Sequence, residues 1–395
     1  MQASTQSVLS ELGSRVATER TLALSPVEQL FTGSGCYPIT FAFSFAAPLD
    51  PSVLRDSLAV TLRWFPTLQC RLVDNGNRGV GLRRDAGVGA LRIAGEPLDA
   101  EAARAAAVDG RVGSAAARFT LSPEGAGSRL TVSVSHAVVD GFAFMQFMYA
   151  WARVARGVPL TPVARARITE GLPAESVSPA QVRADVGAFW IDGQKRADHP
   201  PLRALRRRFS LDDLARERAA ARSLRRFSLT DHDLICAHLW REFAPRQAND
   251  DAETFLTCPI DVRPLCPTLG RSHFGCAITF ATAATPRSEL ERAPIADVAA
   301  LVHAAVADVD EARVSASMRT LAALKAERGP SALADVHLTH PSRGLLVTNL
   351  TRLPLQGLDF GAGPPSEFEP TVQLPRCAVL FSCAGGVEAR VYLSD

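Results

Sequence analysis

The chain has 395 residues, beyond the ~250–300 at which a single hydrophobic core stops growing, so two domains are expected. With 47% hydrophobic and 21% charged residues it is no disordered chain, and 43 basic against 41 acidic side chains, a net charge of +2, give no overall pull toward nucleic acid or an anionic membrane. The longest apolar run, at 39–49, is far short of the ~20 residues that span a bilayer, and an N-terminal region holding Glu11 and Glu19 suits neither a secretory signal nor a transit peptide, so a cytoplasmic protein is expected.

In chain order, the first strong periodicity lies in LDPSVLRDSLAVTLRWF. There Val53, Leu54, Leu58, Leu62 and Phe65 recur at helical spacing behind the candidate cap Asp50 and Pro51, and Pro66 ends the run. RLTVSVSH alternates Leu130, Val132 and Val134 with Thr131, Ser133 and Ser135, which reads as a strand. Phe144, Phe147, Met148 and Trp151 then fall at i, i+3, i+4 and i+7, one buried helix face ending near Gly157 and Pro159. Residues 157–202 mix breakers and charge without periodicity, as a crossover between domains does.

The second half opens basic: between 203 and 226, nine arginines stand against Asp212, Asp213 and Glu217, a local net charge of +6. Two readings stay open there, a solvated helix surface or an anion-binding rim for a phosphate-bearing donor. LTDHDLICAHLWREFA reads as a helix with His238 and Trp240 in its core face, ADVAALVHAAVADVDEARV as one long Ala-rich helix, and GLLVTNL and AVLFSCA as strands. Strands and helices mixed in both halves indicate an α/β (α+β) protein of layered sheets and helices.

The eight cysteines form no C-x-x-C pair and no zinc-like Cys/His spacing, so buried, reduced thiols and no metal site are expected. G-x-G-x-x-G, G-x-x-x-x-G-K, G-x-S-x-G and H-E-x-x-H are all absent, which removes the common nucleotide, serine-hydrolase and metalloprotease readings. The chemistry concentrates in SVSHAVVDGFAF, residues 133–144. By strand parity His136 continues the Leu130, Val132, Val134 face, so its ring points into protein. A desolvated imidazole favours the neutral form, the one able to take a proton. Asp140 stands where the helix begins, and Gly141 lets the turn tighten. Taken alone, His136 also suits a satisfied core residue and Asp140 a plain helix cap. Their four-residue spacing does not by itself put the two side chains in contact.

His136-Ala-Val-Val-Asp140-Gly141 resembles the H-x-x-x-D-G motif of the acyltransferase superfamily that includes BAHD enzymes, chloramphenicol acetyltransferase and the condensation domains of nonribosomal peptide synthetases. Further stretches follow in order. AHLWRE at 237–242 is similar to a helix of that family, and PIDVRPL at 259–265 with HFGCAIT at 273–279 is similar to its D-x-R and F-G-N stretches. VTNLTRLPLQGLDFGAG at 347–363 resembles the strand and loop leading to D-F-G-W-G, with Asp359, Phe360, Gly361 and Gly363 matching and Ala362 in place of Trp. LSPVEQLF and WFPTLQCRL resemble the family's N-terminal elements. Ser135 stands where condensation domains carry a second histidine, which favours BAHD-type transfer. Leu350 stands where many plant members have Trp, and the chain is shorter than theirs, so plant substrate assignments do not carry over.

The resemblance implies two chloramphenicol-acetyltransferase-like domains, each a mixed β-sheet flanked by helices, with the active site in a tunnel between them. On that basis residues 1–165 form an N-terminal domain carrying the histidine motif, 166–205 a crossover linker, and 206–395 a C-terminal domain carrying DFGAG. The implied roles are His136 as general base, Thr348 as donor to the oxyanion, and Asn349 as a substrate-binding neighbour. Asp140 is a structural carboxylate paired with Arg263, beside Gly141, and Asp359, Gly361 and Gly363 hold a supporting loop. The implied reaction moves an acyl group from acyl-CoA to a hydroxyl or amine of a small-molecule acceptor, with no covalent acyl-enzyme and no tightly bound cofactor. A donor thioester on an acyl- or peptidyl-carrier protein is one alternative, and a non-catalytic binding module on the same fold is another. A cytoplasmic monomer without nucleic-acid or membrane partners completes the expectation.

Overall fold

The structure, a computed structural model, describes residues 21–33, 36–98, 102, 105–160, 177–193, 202–222, 228–244, 252–267, 269–353, 355–372 and 374–394. Glu11 and Glu19, residues 166–176 and 194–201 of the linker expected at 166–205, and the end of the arginine-rich stretch lie outside the described residues. The chain divides into two compact units. One comprises Met1–Arg167, Ser272–Cys276 and Pro354–Thr371; the other comprises Ile168–Arg271, Ala277–Leu353 and Val372–Asp395.

The first unit contains strands β1 (Leu22–Ala23), β2 (Ile39–Phe45), β3 (Cys70–Asp74), β4 (Val80–Arg84), β5 (Leu91–Ile93), β6 (Ala117–Glu124) and β7 (Gly127–Val134), with helices α1 (Pro26–Gln29), α2 (Pro51–Leu62) and α3 (Gly141–Ala155). Its main sheet has the order β14-β2-β7-β6-β5, where β14 is Glu367–Pro370. Only β5 and β6 pair in parallel. Asp50 starts α2 by accepting the Ser52 and Val53 amides at 2.7 and 3.4 Å, with Pro51 at the first helical position. Leu54, Leu58 and Leu62 of that helix are buried, while Val53 is 39% exposed and outside the apolar face.

Strand β7 buries Leu130, Val132 and Val134 as its alternation requires, and it also buries Thr131 and Ser133, so both of its faces are covered. The second face is satisfied by polar contacts: Ser133 Oγ lies 2.7 Å from Thr40 Oγ1 and accepts the Val108 amide at 3.0 Å. Helix α3 buries Phe144, Phe147, Met148 and Trp151, each worth roughly 1.5–3 kcal/mol or more removed from water. The Trp151 indole donates to Leu54 O and Ser57 Oγ at 3.2 and 3.0 Å, locking α3 to α2.

The second unit contains helices α4 (Pro179–Val186), α5 (Leu211–Arg222), α6 (Asp231–Phe243), α7 (Arg287–Arg292), α8 (Ile295–Ala307) and α9 (Glu311–Arg328). Its strands are β8 (Phe189–Trp190), β9 (Arg203–Ser210), β10 (Glu253–Asp261), β11 (Ile278–Pro286), β12 (Val336–His337), β13 (Gly344–Asn349), β15 (Cys377–Cys383) and β16 (Gly386–Leu393). The main sheet runs β11-β10-β13-β15-β16-β9, with β13 parallel to both of its neighbours. Leu256, Cys258, Leu345, Val347, Ala378 and Leu380 from one face of this sheet pack on Leu234, Trp240, Val298 and Val302 of α6 and α8. Each unit is thus a mixed sheet flanked by helices, the α/β (α+β) arrangement expected.

Three expectations change. The arginine-rich stretch is helical only from Leu211; Arg203, Arg206, Arg207 and Arg208 lie in the edge strand β9, where charge blocks pairing with other chains. The Ala-rich helix is two, because Asp310 caps α9 by accepting the Arg313 amide at 2.8 Å and stops continuation from α8. Trp240 is core, but His238 is about one third exposed and pairs with Glu217 at 2.9 Å. Among the described residues no helix is long and apolar enough to cross a membrane.

Candidate functional site

His136 lies two residues beyond Val134, the last residue of β7, so the strand that buries Val132 and Val134 delivers its imidazole. The ring stacks on Phe31, centroids 4.0 Å apart and planes 10° apart, and its Nδ1 lies 3.8 Å from the Cys276 sulfur. Phe31 is held in turn by the short α1, which Ser25 and Glu28 close with a reciprocal capping box. Burial pushes the His136 pKa down to about 4, against smaller raising effects from a hydrogen bond to its own backbone and from the Asp140 charge. The imidazole is therefore neutral throughout the physiological range. Phe31 and Cys276 lie in LSPVEQLF and HFGCAIT, but nothing in those stretches put them against His136, since contact at such separation comes only from the fold.

Asp140 is the N-cap of α3. Its carboxylate is 3% exposed and accepts the Ala143 amide at 2.9 Å. Gly141 is the first helical residue and has ordinary right-handed backbone. The DFGAG loop belongs to the same compact unit. Asp359 Oδ1 accepts the amides of Gly361 and Gly363 at 2.8 and 3.0 Å, and both glycines have φ in the left-handed region, +104° and +86°. Phe360 packs edge-on against Trp151 at 5.1 Å and Phe45 at 6.0 Å, so this loop is pinned to α3.

In the second unit, Thr348 and Asn349 end β13, paired with Val379 and Leu380 of β15. Alternation sends them to opposite faces of the sheet. Asn349 shares the side of Leu345 and Val347, where α6 packs, and its Nδ2 lies 3.2 Å from His232 Nδ1 while its Oδ1 accepts the Thr351 amide at 3.0 Å. Thr348 is half-buried on the other face, so these two candidates are not brought together. Arg263 is 3% exposed and donates to Asp261 Oδ1 at 2.8 Å.

The sequence reading missed a second concentration of chemistry in this unit. His232, at the start of α6, and Cys236, one turn on, meet Cys258 of β10. One ligand atom from each lies within 4.8 Å of the others. Hydrogen bonds from Cys236 and then from His232 hold the Cys258 thiol below the usual thiol range, while burial pushes Cys236 up. Burial alone would lower His232, but the hydrogen bond and charge of Cys258, with the charge of Asp233, raise it. The signal available was the i, i+4 pair His232–Cys236 on one helix face. His232 also lines a cleft of about 340 Å³ with Asp231, Asn349, Thr351, Ser382 and Val387.

Comparison with known proteins follows the same lines. The model of the Transferase family matches residues 117–394. Anthranilate N-benzoyltransferase protein 1 of Dianthus caryophyllus is 24% identical over 250 residues, covering 59% of this chain and 54% of its own. Hydroxycinnamoyl-CoA:5-hydroxyanthranilate N-hydroxycinnamoyltransferase of Avena sativa is 29% identical over 259 residues, covering 60% and 56%. The chain thus spans little more than half the length of these relatives. Among solved structures, TRI101 of F. graminearum in complex with coenzyme A and deoxynivalenol superposes with a TM-score of 0.74 at 16% identity over 95% of both chains, which establishes a shared fold.

Proposed function

Taking as premise that this chain belongs to the Transferase family, we propose that it is a BAHD-like acyltransferase, moving an acyl group from acyl-CoA to a hydroxyl or amine of a small molecule. The observation that carries the reading is His136: an imidazole desolvated against Phe31, kept neutral, at the head of a turn whose Asp140 and Gly141 complete the family motif. The relatives named above are acyltransferases, and one carries CoA in its name, which supports the donor class.

In the proposed reaction the acceptor oxygen or nitrogen attacks the thioester carbonyl carbon while the His136 ring takes its proton. Such assistance is commonly worth ~10² to 10⁴ in rate. The carbonyl π pair moves to oxygen, and the Thr348 hydroxyl donates to that oxyanion. Removing one such donor typically costs about 3–4 kcal/mol of transition-state stabilisation. On collapse the carbon–sulfur bond breaks, and the imidazolium returns the proton to the departing thiolate, so no side chain is acylated. Asn349, turned to the other face of β13, is given no part in transfer. Asp140 and Arg263 are assigned structural roles, as are Asp359, Gly361 and Gly363.

The carrier-protein alternative would place the donor at the arginine-rich stretch, whereas a relative named for hydroxycinnamoyl-CoA and a fold neighbour solved with coenzyme A both point to a free CoA thioester. Free acyl-CoA is therefore the preferred donor. The test is thiol release from a panel of acyl-CoAs, with a mixture of small hydroxyl and amine acceptors and product masses read by mass spectrometry. Acceptor-dependent CoA release with a matching acylated product is expected. Silence across the panel, with binding unaffected by His136→Ala, would instead indicate a non-catalytic module.

A further inference from the structure

We propose that His232, Cys236 and Cys258 form a binding site for a zinc-class divalent ion, separate from the acyl-transfer residues and independent of the proposed reaction. The geometry suits tetrahedral coordination. With Zn–S near 2.3 Å and Zn–N near 2.0–2.1 Å, two thiolates on one ion stand ~3.8 Å apart, and a thiolate and an imidazole nitrogen ~3.6 Å apart. Here Cys236 Sγ lies 4.0 Å from Cys258 Sγ and 3.6 Å from His232 Nε2, and all three atoms lie within 4.8 Å of one another, so an ion fits with side-chain shifts of at most about 1 Å. One imidazole and two thiolates form a borderline-soft set that selects zinc over magnesium or calcium.

The scaffold is already fixed. His232 and Cys236 share one face of α6, whose first turn is closed by Thr230 and Asp233 in a reciprocal capping box. Cys258 projects from β10 on the sheet face that α6 covers. Both sulfurs are buried, and His232 lines the cleft, which gives an ion its route in and a water its place as fourth ligand. Asn349 would be the outer partner. When Nε2 binds the ion, Nδ1 carries the ring proton, and the Asn349 carboxamide, now donating to Nδ1 at 3.2 Å, turns its oxygen toward it. Binding releases the thiol protons to solvent, so affinity falls as pH drops.

The test uses the full chain without a histidine tag, stripped with chelator and titrated with Zn²⁺ and with Co²⁺. One equivalent per chain is expected, with a thiolate-to-cobalt charge-transfer band and the visible bands of tetrahedral Co²⁺. Both should be lost in Cys236→Ser and Cys258→Ser. Should those variants fail to fold, His232→Ala, which truncates a side chain on the cleft wall, must still lower affinity at least tenfold. No stoichiometric uptake by the wild-type chain, a cobalt spectrum without the thiolate band, or a Cys236–Cys258 disulfide forming in place of ion capture under reducing-agent-free conditions would each overturn the proposal.

Discussion

His136 and His232 each sit beside a cysteine sulfur, yet their titration moves in opposite directions. For His136 burial dominates: a stacked phenyl ring supplies no charge, the Asp140 contribution falls short, and the ring stays neutral. For His232 burial is again the largest single influence, but the hydrogen bond and charge of Cys258, with the charge of Asp233, together outweigh it. The contrast teaches that burial alone does not predict a histidine's charge; what shares the low-dielectric space decides it. A neutral ring can accept a proton from a substrate, whereas a ring set beside two adjoining sulfurs is placed to share an ion with them.

The sharpest way to break this division of labour is to remove each ring in turn. His136→Ala should lower kcat by ~10² to 10⁴ in the thiol-release assay while leaving the chain folded and the Co²⁺ spectrum intact. His232→Ala should abolish the cobalt signature. A cobalt signature lost in His136→Ala, or full turnover retained there, would dissolve the distinction. The end of β13 gives the next largest effect, since its two residues face the two sides of the sheet. Thr348→Val keeps shape and removes the hydroxyl, and should lower kcat ~10²- to 10³-fold. Asn349→Ala should weaken ion binding by ~10- to 100-fold.

The sequence carried the frame of one of these sites and little of the other. The strand to His136 was legible because Leu130, Val132 and Val134 alternate, and the helix after it because Phe144, Phe147, Met148 and Trp151 repeat on one face. Local periodicity encodes local burial. It did not reveal that Thr131 and Ser133 are buried too, since a polar residue satisfied by Thr40 and Val108 looks like a solvent-facing one. Edge strand β9 was misread because arginines on both faces leave no alternation to see. The His232 cluster escaped because Cys258 reaches it from a strand 22 residues beyond Cys236, on register that only the folded sheet sets. The resemblance supplied the family, while the ring contacts of His136 came from geometry alone.

A smaller effect tests the turn that holds the neutral ring. Asparagine caps helices as well as aspartate does, so Asp140→Asn costs little if capping is the residue's whole task. We expect instead a loss of about 3–5 kcal/mol in urea unfolding, the cost of stripping one partner from a compensated buried charge, which is the role the resemblance gives to Arg263. A loss below about 1 kcal/mol would reduce Asp140 to its bond with the Ala143 amide.

The smallest expected effect is an absence of change with pH. A general base works while deprotonated, and kcat/KM reports its pKa in the free protein. An ordinary histidine near 6.5 would cost about tenfold in rate at pH 5.5, whereas a ring titrating at about 4 costs a few per cent there. Between pH 8 and 5.5, kcat/KM should therefore fall by less than about twofold. Stability should move the other way. Because the unfolded ring binds a proton from about pH 6.5 downward and the folded ring does not until about 4, folding is disfavoured progressively across that window. Wild-type thermal midpoints should thus drop between pH 7 and 5 more steeply than those of His136→Ala. A rate that instead turns down near pH 6.5, with parallel melting curves, would mean that the ring is hydrated beside Phe31, and the contrast with His232 would no longer rest on what each ring is buried against.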